Sequence, residues 1–305
     1  MTNFKNFAAL LFLATIVSTL SAETHCPGNV ASVSIRFGAR HQMIVPVSIN
    51  HAGPFSFLLD TGTQMTMIDP TLAAALDLKT TGKGEVSSVG ARADIASLAQ
   101  VDLVQAGARS VANQKMLVYD LRNLQAPSID IQGVLGEDFL EHFDMLIDNA
   151  HGELCLDDSA AMRGEIKGSH IPLMTTAQAA DGSPLPKSLI VAARLFDGMR
   201  PVRLKLDSGA SVSFLYDTAE YMALGLFRGA PLQGGGVNKS QQKFMALPPQ
   251  DMKIGSIKMA KVVFITLAGA QRSARTAGFD GLLALGLFRR VFVCHADHFA
   301  VLDPF

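Results

Sequence analysis

The sequence predicts an all-β chain built as two related, barrel-like lobes with short helices, and three observations carry that prediction. Apolar, β-branched and aromatic segments recur between glycines along the whole length. Landmarks of the first half return in the second at a nearly constant distance. The helical signals are brief and sit at matching places in the two halves. Short strands punctuated by turn residues are the pattern of sandwiches and barrels, and self-similarity at a fixed spacing marks a repeated structural unit.

The elements follow in order. Ile44-Val-Pro-Val-Ser-Ile-Asn50 reads as a strand, and Phe55-Ser-Phe-Leu-Leu59 as a second that becomes wholly apolar as it enters the core and ends at Asp60-Thr-Gly-Thr63. Thr66-Met-Ile68 suggests a further strand. A helix over Pro70–Leu76 then has Asp69 as its cap and Pro70 at its opening position. Gln100–Val104 and Lys115–Val118 follow as strands. Ile131-Gln-Gly-Val-Leu-Gly136, Phe139-Leu140 and the apolar Met145-Leu-Ile147 close the first unit.

The second unit repeats these features. Leu189-Ile-Val-Ala-Ala-Arg-Leu195 precedes Val202-Arg-Leu-Lys-Leu-Asp207-Ser-Gly-Ala210, in which Val202, Leu204 and Leu206 alternate with polar partners as in a half-buried strand. Ser213-Phe-Leu215 and a helix over Thr218–Leu224 come next. Phe279-Asp-Gly-Leu-Leu-Ala284, Leu287-Phe288 and Val291-Phe-Val293 end the unit. Asp60 to Asp207 is 147 residues and Gly133 to Gly281 is 148; Ala75-Leu-Asp-Leu78 meets Ala223-Leu-Gly-Leu226 at 148 again. We expect lobes over 30–162 and 188–305, joined by a linker over 163–187 whose Gly, Ser, Pro and Asp-Gly signals mark turns; Ile171-Pro-Leu173 could still open the second lobe.

Composition narrows the function. Of 305 residues, 49% are hydrophobic and 17% charged, a balance that fills a core rather than disordering the chain. The net charge is -1 and no basic run of five occurs, so neither nucleic acid nor an anionic membrane surface is an expected partner. Trp is absent and aromatics are sparse, which leaves no stacking platform for single strands. Lys5 precedes an apolar stretch from Phe7 to Leu20 with small residues after it, the layout of a signal peptide over 1–22 cleaved near Ser21 or Ala22. That stretch is short for a bilayer span, so the mature chain is expected to be periplasmic or secreted without stable membrane insertion. Glu23-Thr-His25 before Cys26 is not a lipobox.

Cys26, Cys155 and Cys294 allow one disulfide with one free thiol, or none, and their spacing does not choose. No Cys-x-x-Cys occurs. His295-Ala-Asp-His298 reads as two solvated histidines in a turn rather than a metal pair, and no metal or cofactor is expected. Gly234-Gly-Gly236 lacks the Lys-Ser/Thr and following helix of a phosphate loop and reads as a flexible hairpin.

A lone Asp-Thr/Ser-Gly is ordinarily a surface turn, because Asp bonds its own backbone and Gly accepts positive φ. Here the triplet stands twice at equivalent places, each time after an apolar strand that would carry the aspartate to a buried centre. Two turns explain the repetition but not the burial. Asp60-Thr-Gly-Thr and Asp207-Ser-Gly-Ala resemble the two active-site loops of aspartic proteases, and Val134-Leu-Gly136 resembles the segment that packs beneath each loop in that family. Asp-Ser-Gly-Ala is closer to the bacterial retropepsin-like style than to pepsin. The resemblance runs from about Arg36 to Pro304.

The resemblance implies two lobes facing across a pseudo-two-fold axis, with Asp60 and Asp207 as the catalytic pair and polypeptide as substrate. It implies loop support from Thr61, Gly62, Thr63, Ser208 and Gly209, with the Thr61 and Ser208 hydroxyls bonding across the loops. One chain supplies both halves, so a monomer suffices. Thr63 offers a hydroxyl to Asp60 where Ala210 offers none to Asp207, which makes Asp207 the expected holder of a shared proton. The flap is expected at Gly84–Gly90, with Ser87, Ser88, Val89 and Gly90 at its tip and no tyrosine. Ala284 stands where the family prefers glycine. The rival function is a peptide-binding module on this scaffold without turnover, and a ligand-binding β-sandwich without a shared cleft is the third reading.

Overall fold

A computed structural model describes residues 26–86, 93–125, 129–174, 188–195, 201–216, 231–235, 241–267 and 278–305. Its described strands form three sheets, one for each lobe and one along the midline. The expected signal segment, the expected flap residues Ser87, Ser88, Val89 and Gly90, and the expected helix over Thr218–Leu224 lie outside the described residues.

The eight-stranded first-lobe sheet curls on itself, because Met43–Ile49 pairs with both Ala52–Leu59 and Asp94–Ala106. The strand Ala52–Leu59 runs parallel to Gly133–Leu135, which is antiparallel to Met67–Ile68. Consecutive strands thus flank a third that arrives much later in the chain, and the connection carrying Asp60 must cross the end of that middle strand. The second lobe has the same arrangement: Val202–Asp207 runs parallel to Gly281–Ala284, itself antiparallel to Ser213–Leu215. Alternating and wholly apolar segments become buried strands for the reason sequence suggests, since every backbone polar group entering the core must find a ladder partner.

The helix Pro70–Ala75 starts where expected. The Asp69 side chain accepts from the Thr71 amide at 2.8 Å, and Pro70 sits where a missing N–H costs nothing. The strands Asp94–Ala106 and Arg109–Val118 are much longer than the short segments legible in the sequence. They form one hairpin in register from Ala106 opposite Arg109 to Ser97 opposite Val118. Alternate residues of this hairpin face solvent, which dilutes the apolar signal over its length.

The midline sheet has six described strands, two of them the apolar segments that end each unit. Met145 pairs with Val293, Leu146 with Phe292 and Ile147 with Val291, antiparallel. Leu146 and Phe292, the central residues of the two matching triplets, therefore face each other at the midline. Ile171–Pro172 joins the same sheet by pairing with Phe299–Pro304, so part of the expected linker stretch is structural. A single buried apolar cluster runs through both lobes and the midline, with Phe57, Phe139, Phe264 and Phe288 fully enclosed. Each such ring contributes about 1.5–3 kcal/mol by leaving water.

Cys26 and Cys155 form a disulfide that ties the start of the described chain to the strand Glu153–Asp157, and Cys294 is a buried free thiol.

Candidate active site

Each aspartate is delivered by its strand to the crossing point above the middle strand of its lobe. The Asp60 amide donates to the Leu135 carbonyl at 3.0 Å, and Asp207 is in register with Ala284. Both side chains are buried. The loops then turn so tightly that each carboxyl lies against the glycine of the other. A Cβ on Gly62 would stand 2.5 Å from the Asp207 carboxyl carbon, and one on Gly209 would stand 2.5 Å from that of Asp60. No side chain fits at either place, which is why the third residue of each triplet is glycine.

Reciprocal hydrogen bonds lock the loops together. Thr61 Oγ1 donates to the Leu206 carbonyl and accepts from the Ser208 amide, both at 3.0 Å. Ser208 Oγ donates to the Leu59 carbonyl at 2.8 Å and accepts from the Thr61 amide at 3.0 Å. Four backbone groups that would otherwise be orphaned in the core are satisfied across the midline. The segments beneath match as well. The Gly136 amide donates to Thr66 Oγ1 and the Ala284 amide to Ser213 Oγ, both at 3.1 Å. Ala284 thus makes the bond its glycine counterpart makes.

The two carboxyls differ in their partners. Asp60 accepts from Thr63 Oγ1 at 2.7 Å and from the Gly62 amide at 2.8 Å. Asp207 accepts from the Ala210 amide at 2.9 Å. Burial first, and then the neighbouring Asp60 charge, push the Asp207 carboxyl up to about 7. The arrangement can therefore hold one proton between two acids near neutrality, because like charges this close resist joint ionisation.

Two flanking features were not legible as site features. Lys205 is buried although its strand reads as half-exposed, and its ammonium donates to the Gly62 carbonyl at 2.7 Å. The equivalent residue of the first unit, 147 positions earlier, is the apolar and buried Leu58, and that mismatch was the available signal. His295, expected in solvent, is instead buried beside Glu137 of the first half: its Nε2 lies 3.4 Å from Oε2, and Nδ1 is 2.6 Å from the Phe143 carbonyl. Packing across the midline encloses this turn, which no local pattern could reveal. Burial alone would lower the His295 pKa, but the Glu137 carboxylate raises it on balance. The Glu137 amide also donates to the Thr63 carbonyl at 2.9 Å, steadying the residue that holds Asp60. Asp138 accepts from the amide and hydroxyl of Thr66 at 2.9 and 2.6 Å, and burial pushes its carboxyl up to about 6.

Comparison with known proteins agrees with this architecture. Residues 45–139 match the aspartyl protease family model, a stretch that runs from the strand before the Asp60 loop to the helix after Gly136. No curated protein matches the chain significantly. The family match over residues 45–139 and the two-lobed β fold together support an aspartic protease family assignment.

Proposed function

We propose that this protein is an exported aspartic endopeptidase that hydrolyses polypeptide with a water activated between Asp60 and Asp207. The observation that carries the reading is the reciprocal seating of each carboxyl against the glycine of the opposite loop. In this mechanism ionised Asp60 takes a proton from the water as it attacks the scissile carbonyl carbon. Protonated Asp207 donates to the carbonyl oxygen, and the amine leaves after a proton returns from the pair. Two hydrogen-bonding features favour this division of roles: the Thr63 hydroxyl on Asp60 and the absence of one from Ala210 beside Asp207. The pair titrates as a unit, so its apparent pKa values belong to both residues. Gly62 and Gly209 let each carboxyl pack against the opposite loop, where a side chain would collide with it.

Export is supported by the apolar leader and by the Cys26–Cys155 disulfide, which persists in oxidising compartments. A monomer, with polypeptide as its partner, suffices because one chain supplies both acids. Turnover of a peptide library, lost in Asp60→Asn and in Asp207→Asn, is the test. Peptide binding without cleavage by the wild-type chain would instead support the non-catalytic binding module.

A further inference from the structure

The first and second loops are not related by strict symmetry, and one departure is a charge. Lys205 lies on the strand Val202–Asp207 of the second lobe, two residues before Asp207, with only 3% of its surface exposed. Its ammonium reaches across the midline to the Gly62 carbonyl at 2.7 Å and sits 5.9 Å from the Phe279 ring centre. No ion pair to it occurs among the described residues. The place that Gly62 leaves empty is the place against which the Asp207 carboxyl packs. The corresponding first-lobe residue, Leu58, has no donor to offer the carbonyl of Gly209.

A buried cation without a carboxylate partner is unfavourable unless a nearby negative charge compensates it. Among the described residues, the Asp207 carboxyl, which packs on Gly62, feels the Lys205 charge. Glu137, paired with His295, feels its charge from the helix Glu137–Leu140. Tyr216, in ring contact with Phe279, has its hydroxyl pKa raised by burial and then by the Asp207 charge.

We propose that Lys205 is a positioning residue of the aspartate pair: held on the Gly62 carbonyl from the second lobe, it braces the first loop against Asp207 and supplies the fixed positive charge that balances the pair's single negative one. As a feature of catalysis this rests on the protease reading above; as a feature of how the carboxyls ionise it does not. Removing the cation disfavours every ionised state of the pair, so both limbs of its titration move to higher pH. The shift is about one unit or more, the effect ordinarily seen for an opposite charge at close range.

The test follows the aspartate carboxyl carbons by 13C NMR as a function of pH, together with the pH profile of kcat/KM. It compares wild type, Lys205→Leu, Lys205→Met and Lys205→Arg. The Leu variant copies the first-lobe residue, and Met keeps the length without the charge. The expected result is an upward move of the pair's titration by about one unit in both neutral variants. The kcat/KM profile should follow by the same amount, and the Arg variant should return towards wild type. Asp138, bonded to Thr66 rather than to Lys205, is the internal control and should stay in place. A folded neutral variant with an unmoved titration overturns the proposal. Loss of folding in both neutral variants does so too, since Lys205 would then be a structural residue only. Absence of turnover in the wild type together with a moved titration would leave this proposal standing and remove the protease reading.

Discussion

Replacing Asp207 by Asn should make the protein more stable at neutral pH while abolishing hydrolysis. The carboxyl ordinarily ionises near 3.8, and burial with the Asp60 charge pushes it up to about 7. A raised folded-state pKa contributes stability that is fully present below the unfolded value and is lost as pH rises through the folded one. From pH 4 to pH 7 the unfolded chain sheds this proton while the native chain keeps it. At about 1.36 kcal/mol per unit over roughly three units, wild type forfeits on the order of 4 kcal/mol from this group. Asn resembles the protonated acid in shape and does not titrate, so the variant escapes the loss. Urea unfolding at pH 4, 5.5, 7 and 8 reads the effect; with no Trp in the chain, far-UV circular dichroism is the suitable signal. The stability gap should widen in favour of Asn by about 4 kcal/mol up to pH 7 and then level off. A gap that stays flat with pH would refute the reasoning, because it would mean that Asp207 ionises as readily in the fold as outside it.

Other outcomes follow from the same geometry. Ala210→Ser adds a hydroxyl beside Asp207 like the one Thr63 gives Asp60, and should move the acid limb of the kcat/KM profile downward; an unchanged profile counts against an asymmetric pair. Thr61→Ala leaves the Ser208 amide and the Leu206 carbonyl without their buried partner, and should cost about 1–3 kcal/mol in denaturant unfolding. Replacing Cys26 and Cys155 together by Ser opens a closure of 129 residues and should cost about 5 kcal/mol on the chain-entropy argument, measured as a drop in urea midpoint against the oxidised wild type.

Much of the fold was legible because local and global preferences agree where the chain enters the core. Phe55 to Leu59 ends in an apolar run and becomes a strand buried at its exit, and Asp69-Pro70 marks the start of the helix that is observed. The meeting of the Asp60 and Asp207 loops could be anticipated because two like triplets, Asp-Thr-Gly and Asp-Ser-Gly, each follow an apolar strand in matching units. Lys205 could not be read the same way. A lysine in an alternating strand reads as a residue of the solvent face, and only the other lobe's loop lying over that face turns it inward. Glu137 and His295 are 158 residues apart, and their pairing depends on how the halves pack rather than on any nearby pattern. The Cys26–Cys155 bond likewise needed three dimensions, since three cysteines leave the choice open.

The ladder between Asp144–Asp148 and Phe288–Cys294 bears on what happens when the chain is cut. A first half produced alone would carry Asp144–Asp148 as a bare edge, with its unsatisfied amides and carbonyls facing water. Such an edge, with Leu146 at its centre, is already shaped to accept an antiparallel neighbour of its own kind. The isolated fragment is thus a candidate for self-association into a two-fold assembly, in which a second molecule takes over the place of the missing half.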